Sequence, residues 1–530
     1  MKTYKYILMG LLGAMSLGSC TDLDEQPYTF VNPAQFYKNE SQLSEALNSV
    51  YAQFRNYNGN YMNIMRLEDC TEFGQPNRGP KEDNQNINDW YDINSGSTSS
   101  TFINLWNRAY TCINRCNTVL ARGEGVNMDA TAKARIYAQA RFMRAYSLFY
   151  LVRIFGGVPI PEGYTSSLEG LEIPRKTVSE VYDYIQADLD YCESNLPERG
   201  ASSYDAWRIS KGATEALLGE IWLYRASMES NTEYYRKSAE YNKKVIDTGT
   251  YSLMSNYKDL WYAFNPAGAK NNQESILELQ YSAISGQDNS MHRFFGTFGD
   301  SYYNVAGGSY FYLRTGPSIY AYESYSDNDA RKQVFITSGS ARKGTKDTHM
   351  EFVAADKGHF PGSKGWQSCT PGNAKYYDFT TAASLLMSAN NFMLIRYSEV
   401  LLNYAEALNQ VNGGSAEALK YLNMVHQRAG LPALSLATKS AIDDAIFQER
   451  GWEFIGEGKM YFDELRTNRL GKNVYEFINK GVAEGMNYFR KLNFVPQKSF
   501  LWKIPKSDLD SNPALVQNPD NVTDPAYPLQ

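Results

Sequence analysis

Trp90 and Tyr91 stand side by side between Asn88, Asp89 and Asp92, within a stretch (residues 67–101) rich in Asn, Ser, Gly and Asp. Flat indole and phenol faces beside short amide and carboxylate groups suit the gripping of a polar ligand. Arg78, just upstream, can donate two parallel hydrogen bonds to vicinal hydroxyls or to a carboxylate. That is the chemistry of recognition. Bond-breaking chemistry has no comparable pattern: there is no Gly-x-Ser-x-Gly elbow, Walker loop or HExxH helix. A glycosidase needs two carboxylates about 5–5.5 or about 6.5–9.5 Å apart. Such pairs arise by chance among 58 acidic residues, and none sits in a motif of that kind. Four histidines argue against a His-rich metal site. Asp327-Asn328-Asp329 lacks the Gly and the distal Glu of an EF-hand loop. The sequence therefore predicts no catalytic residue, no metal and no cofactor.

Composition narrows the ligand class. The chain has 530 residues, 43% hydrophobic and 21% charged, which is a globular composition and predicts one large or two intimately packed domains. With 52 Lys+Arg against 58 Asp+Glu the net charge is −6, which argues against a nucleic-acid partner. Tyrosine is abundant, 41 residues beside 25 Phe and 8 Trp, so amphipathic rings are available for a binding face.

Those loops need a frame, and amphipathic helical patterns supply it. Phe392 to Gln410 reads as one helix and Ser415 to Arg428 as a second, broken at Asn412-Gly413-Gly414, with Ser415 as cap. Small residues Ala405, Ala407, Ala416 and Ala418 allow the two to approach closely, the pattern of a tetratricopeptide (TPR) pair. Similar pairs are Ala213–Met228 with Tyr234–Asp247, Ala132–Phe155 with Val178–Leu196, and Gln42–Arg55 with Leu105–Leu120. The fold expected is mainly α: a scaffold of about four TPR-like helical hairpins with a large loop-rich lobe inserted between repeats. Tyr146, Phe149, Tyr150, Trp222 and Tyr404 fall at helical spacing and are assigned to its core.

The N-terminus reads as an address. Lys2 and Lys5 precede the apolar run Ile7–Leu17, too short to span a bilayer permanently, and Leu17-Gly18-Ser19-Cys20 resembles a bacterial lipobox. Cys20 is the expected lipidation site, and Asp22, Asp24 and Glu25 resemble the surface-export signals of some Gram-negative lipoproteins. The other cysteines are Cys70, Cys112, Cys116, Cys192 and Cys369, an odd number that cannot all pair within one chain; Cys112 and Cys116, four apart, are read as small buried residues.

Four blocks carry a family resemblance: AQARFMRAYSLFYLVRIFGGVPI (Ala138–Ile160), Ile395–Pro432, AIFQERGWEFIGEGKMYFDELR (Ala445–Arg466) and Leu501–Asp520. Together with the lipobox they resemble the SusD/RagB family of outer-membrane nutrient-binding lipoproteins, with departures at Gly451-Trp452 and His426. The resemblance implies a TPR-containing α-fold with an irregular second lobe, a cell-surface location, and a SusC-like TonB-dependent transporter as partner. It implies an oligosaccharide ligand, or a peptide in the RagB branch, that is bound and handed over uncut. It also implies a site formed by the N-terminal insertion and the middle one, which adds Tyr302, Tyr303, Tyr310 and Trp366 to Arg78, Asn88, Asp89, Trp90 and Tyr91. Any one of these rings could instead pack its insertion against the scaffold. A TPR scaffold for protein partners, without a small ligand, is the remaining alternative. Arg141, Arg144, Glu399, Glu406, Glu449 and Glu457, inside the signature helices, are assigned to interhelical ion pairs.

The organisation expected is a signal peptide (1–19), an acidic tether (20–36), N-terminal helices (37–260) with the insertion 67–101, and an irregular ligand-binding lobe (261–390). C-terminal helices (391–470) and an irregular C-terminal segment (471–530) complete it.

Overall fold

The computed structural model describes residues 36–59, 67–76, 96–98, 100–165, 170, 172–291, 315–343, 346–351, 371–378, 387–484 and 501–519. Six helices open the scaffold: α1 (Glu40–Asn58), α2 (Ser100–Gly123), α3 (Ala130–Phe155), α4 (Val178–Asn195), α5 (Lys211–Glu229) and α6 (Thr232–Asp247). A short α7 (Ile319–Ser324) lies in the middle region, and α8 (Tyr397–Asn412), α9 (Ala416–Arg428), α10 (Lys439–Phe454), α11 (Met460–Arg466) and α12 (Leu470–Ala483) follow. The packed pairs are α1 with α2, α3 with α4, α5 with α6 and α8 with α9, and α6 also packs on α8. These are the pairs the periodicity predicts, and their stacking makes the molecule mainly α. No helix among the described residues is long and apolar enough to cross a membrane.

Local chemistry sets the helix ends. Asp129 accepts from the Ala132 N–H at 2.8 Å to start α3, Thr177 and Glu180 close a capping box on α4, and Ser415 accepts from Ala418 at 3.3 Å to start α9. Inside, Tyr146, Phe149, Tyr150, Trp222 and Tyr404 are buried, as are Cys112 and Cys116. Ala405 and Ala407 on α8 and Ala418 on α9 are fully buried. Ala416 is exposed on the first turn of α9, so it does not share their role.

Two expectations change. Phe392–Arg396 is not the start of a helix but strand β8, paired antiparallel with β2 (Ser275–Leu279). All five residues of each strand are buried, and a short apolar run covered on both sides satisfies its backbone by pairing across the sheet. The segment 471–530, expected to be irregular, contains nearly all of α12, whose apolar stripe Leu470, Val474, Phe477 and Ile478 is buried.

The middle region holds short strands. β1 (Gly74–Pro76) pairs with β3 (Thr315–Pro317), β4 (Phe335–Ile336) with β7 (Gly372–Asn373), and β5 (Ser338–Lys343) with β6 (Lys346–Glu351). Beneath them lies a second apolar cluster, including Phe73, Tyr257, Trp261, Tyr325 and Phe335, separate from the main helical core.

Candidate binding rim and its support

Arg78, Asn88, Asp89, Trp90, Tyr91, Tyr302, Tyr303, Tyr310, Trp366 and the lipidation candidate Cys20 all lie outside the described residues. What is described is where their segments attach. β1 and β3 run antiparallel with Gly74 opposite Pro317, Gln75 opposite Gly316 and Pro76 opposite Thr315. Pro76 is the last described residue before the stretch carrying Arg78 to Tyr91, and Thr315 is the first after the stretch carrying Tyr302 to Tyr310. The two insertions are therefore anchored on facing residues of one ribbon. β7, reached just after the stretch that holds Trp366, packs against β3.

The ribbon is held from below by polar bonds. Thr315 Oγ1 donates to Asp69 at 2.5 Å, Ser318 Oγ to the Glu72 carbonyl at 2.5 Å, and the Ser318 N–H to the Phe73 carbonyl at 2.8 Å. Gly74 lies so close to the preceding turn that a Cβ would sit 2.3 Å from the Glu68 carbonyl oxygen. Gly451 on α10 serves the same anchor, since a Cβ there would meet the Phe73 ring at 2.2 Å. That contact accounts for glycine at one of the positions where the sequence departs from the family pattern. At another, His426 Nδ1 lies 2.7 Å from Glu449.

Deeper still is a buried ionic lattice that joins the middle region to the helices. Arg396, at the end of β8, bonds Glu274 at 2.9 Å, Glu453 at 2.8 Å and Glu457 at 2.8 Å. Lys375, two residues beyond β7, bonds Glu457 at 2.8 Å, and Arg428 bridges Glu274 at 2.7 Å and Glu453 at 2.5 Å. Arg331 binds Asp329 at 2.8 Å, Glu449 at 2.6 Å and Glu453 at 3.3 Å. Burial alone would raise the Glu453 carboxyl, but the guanidiniums of Arg428, Arg396 and Arg331 hold it well below the usual carboxylate range. Glu457 is lowered in the same way, with burial opposed by Arg396 and Lys375. Asp329 and Asp327 are engaged by Arg331 and Lys332, the latter at 2.7 Å. No cluster of potential metal ligands occurs among the described residues.

The signature-helix charges behave as structural pairs. Arg144 and Arg141 share Asp188 at 2.7 and 3.1 Å, Glu399 meets Lys459 at 2.7 Å, and Glu406 pairs with Arg466.

A different electrostatic situation lies under β1. Glu68 is fully buried, accepts from the Gly458 N–H at 2.6 Å, and is pushed up to about 7 mainly by desolvation. Glu464 is driven well above the carboxylate range by burial and then by the neighbouring Glu72. For Glu68 the folded-state value lies above the unfolded one, so its contribution is fully present below about pH 4.5 and is lost as pH rises to about 7. Glu68→Gln keeps an oxygen for Gly458 and removes the titration. Relative to wild type it should gain stability between pH 5 and 8, by about 3 kcal/mol at the upper end. Denaturant unfolding at several pH values measures this, and an equal change at every pH would refute it.

Comparison with known proteins places these features. Residues 273–520 match the model of the SusD family, and residues 23–223 match a model described as starch-binding associating with outer membrane. SusD-like protein P2 of Formosa agariphila is 27% identical, covering 98% of this chain and 99% of its own length. Starch-binding protein SusD of Bacteroides thetaiotaomicron is 29% identical over 37% of this chain and 32% of its own. A SusD superfamily protein from Parabacteroides distasonis has a crystal structure that superposes with a TM-score of 0.72 at 26% identity, covering 91% of this chain and 99% of that one.

Proposed function

The chain belongs to the SusD/RagB family, and from that premise we propose that it binds oligosaccharide or polysaccharide at the cell surface without cleaving it. In this reading it passes the ligand to a SusC-like TonB-dependent transporter in the outer membrane, to which it is tethered through lipid on Cys20. The saccharide class is supported by the matched family description and by the starch-binding relative. The observation that carries the reading is the β1–β3 pairing, which makes the attachment points of the two ring-bearing insertions neighbours. Residues from both can then close on one ligand: Trp90 and Tyr91 with Arg78, Asn88 and Asp89 from one side, Tyr302, Tyr303, Tyr310 and Trp366 from the other. Rings stack on the apolar faces of the sugar while the polar groups take its hydroxyls. The bonds from Thr315 and Ser318 to Asp69, Glu72 and Phe73 hold the ribbon in place, which lowers the entropy lost on binding.

Calorimetric titration of the soluble chain against a panel of polysaccharides tests the proposal. Heat with at least one glycan, and no release of reducing ends, is the expected result. No heat with any glycan, together with binding of a peptide mixture, would transfer the reading to peptide uptake.

A further inference from the structure

Away from the rim, a groove between α1, β2 and the turn that precedes α5 combines features the rim does not use. Trp207 is 55% exposed, a degree no other tryptophan among the described residues reaches. Its backbone is at φ +74°, a conformation that disfavours bulky L-residues and concentrates at functional positions. The turn is pinned from several directions: Tyr204 N–H donates to the Ala201 carbonyl at 2.9 Å, Arg208 N–H to the Asp205 carbonyl at 3.1 Å, and Ile209 N–H to Tyr51 Oη at 3.2 Å. An indole that could have been buried is instead held out over a groove of about 190 Å³, which it lines with Asn48, Tyr51, Arg55, Leu277 and Gln280. Pockets for drug-sized ligands run to about 300–1,000 Å³, so this one has room for a single ring rather than a chain.

The charge around it is unusual for this protein. Arg144, Arg331, Arg396 and Arg466 are all matched to carboxylates. Along the outward side of α1, four arginines have no carboxylate partner among the described residues. Arg55 donates to the carbonyls of Gln280 and Gly286 at 3.4 and 3.1 Å, Arg108 to that of Asn56 at 3.2 Å, and Arg115 to that of Ser49 at 2.9 Å. Arg208 donates to Asn48 Oδ1 at 2.6 Å and lies 4.6 Å from the centre of the Tyr51 ring. Asp205, on the same turn, is exposed and forms no ion pair with them among the described residues. Glu278 lines the groove too, but its carboxyl is buried, accepts from Asn271 N–H at 2.9 Å and Asn391 at 2.7 Å, and burial shifts it toward the neutral form. A chain of net charge −6 thus keeps a local cationic edge beside an exposed aromatic face.

We propose that this groove is a second saccharide subsite, selective for a sugar ring that bears a carboxylate or sulfate, with the ring stacked on Trp207 and the anionic group between Arg55 and Arg208. Guanidinium groups match both anions bidentately, and Asn48, whose oxygen accepts from Arg208, keeps its amide N–H for a ring hydroxyl, while the Gln280 amide is held by Asn271 and Asn391. The ring class rests on the saccharide reading given above; the preference for charge rests on the arginines alone. A polysaccharide long enough to touch rim and groove together would gain avidity from the second contact.

The test uses the Trp90→Ala/Trp366→Ala protein, in which the rim is weakened from both of its insertions. It is titrated calorimetrically with trigalacturonate, the fully methyl-esterified trigalacturonate, a sulfated galactan trisaccharide and maltotriose. At least one charged probe should bind roughly tenfold or more tighter than the neutral ones, weaken with added salt, and be lost in the additional Trp207→Ala variant. Arg208→Gln should reduce the charged probe to the level of its neutral counterpart. Equal affinity for charged and neutral rings, charged binding that survives Trp207→Ala, or no binding of either charged probe would each overturn the subsite. Charged binding here, alongside wild-type protein that binds no glycan through its rim, would instead refute the rim and leave the groove standing.

Discussion

Replacing Arg396 by methionine is expected to lower stability by about 3–5 kcal/mol, the range for breaking one member of a buried ionic cluster. Arg396 is fully buried and bonds Glu274, Glu453 and Glu457 at once, so its removal takes one cation from three buried carboxylates and leaves them only Arg428, Arg331 and Lys375. Thermal unfolding should move down by roughly 3–5 °C, since a chain of 530 residues shifts about 1 °C per kcal/mol. The loss should be smaller at pH 5 than at pH 8, because carboxylates that lose their cation ionise less readily and can take up protons as the pH falls. The wild-type protein has the opposite dependence at this cluster. Glu453 and Glu457 are held below the usual range, so their contribution is present above the unfolded-state value near 4.3 and is lost as pH falls through the folded-state one. Adding Glu453→Gln to Arg396→Met should recover part of the loss, since neighbours in one network do not add. A variant that melts within a degree or two of wild type would show that the lattice does not tie the middle region to the helices.

The second large effect concerns the rim. Trp90→Ala is expected to weaken saccharide binding by about 2 kcal/mol or more, roughly 30-fold in Kd, as truncating an aromatic anchor does. Trp366→Ala should do the same, although some 275 residues separate the two in the sequence. If both insertions close on one ligand, the double variant should depart from additivity by about 0.5–3 kcal/mol. Strict additivity would place the two rings in independent sites. Calorimetry of the two single variants and the double variant, against one polysaccharide, measures all three quantities.

Particular residues show what the sequence makes legible. The helical pairs are readable because a 3.6-residue period with small residues, as in Ala405 and Ala407, has few other uses than close helix contact. Phe392–Arg396 misleads because five consecutive buried residues carry no period, and the run leads without a break into α8. The β1–β3 ribbon is invisible for another reason. Gly-Gln-Pro and Thr-Gly-Pro have little strand propensity, and their pairing is enforced by Thr315 with Asp69 and by Ser318 with Glu72. The ionic lattice had a faint signature: Glu449 and Glu453, one turn apart on α10, and Glu457 just beyond its end would repel unless cations from elsewhere interleave. Their partners Arg331, Lys375 and Arg396 come from distant segments, so only the fold reveals them. Trp207 follows a short run of small residues, Gly200-Ala201-Ser202-Ser203, where a lone indole is a weak cue and its left-handed backbone is unreadable. The residues nominated for the rim rest on ring chemistry and on family likeness, and what supports them is the placement of their attachment points.

A crystal structure of the protein bound to the glycan that gives the largest heat is the most direct measurement. Density for one sugar chain should contact side chains from residues 77–95 and also from 292–314 or 352–370, above the ribbon where Pro76 faces Thr315. A ligand held by one of these segments alone, or seated elsewhere on the helices with Trp90 and Trp366 buried in packing, would contradict the account.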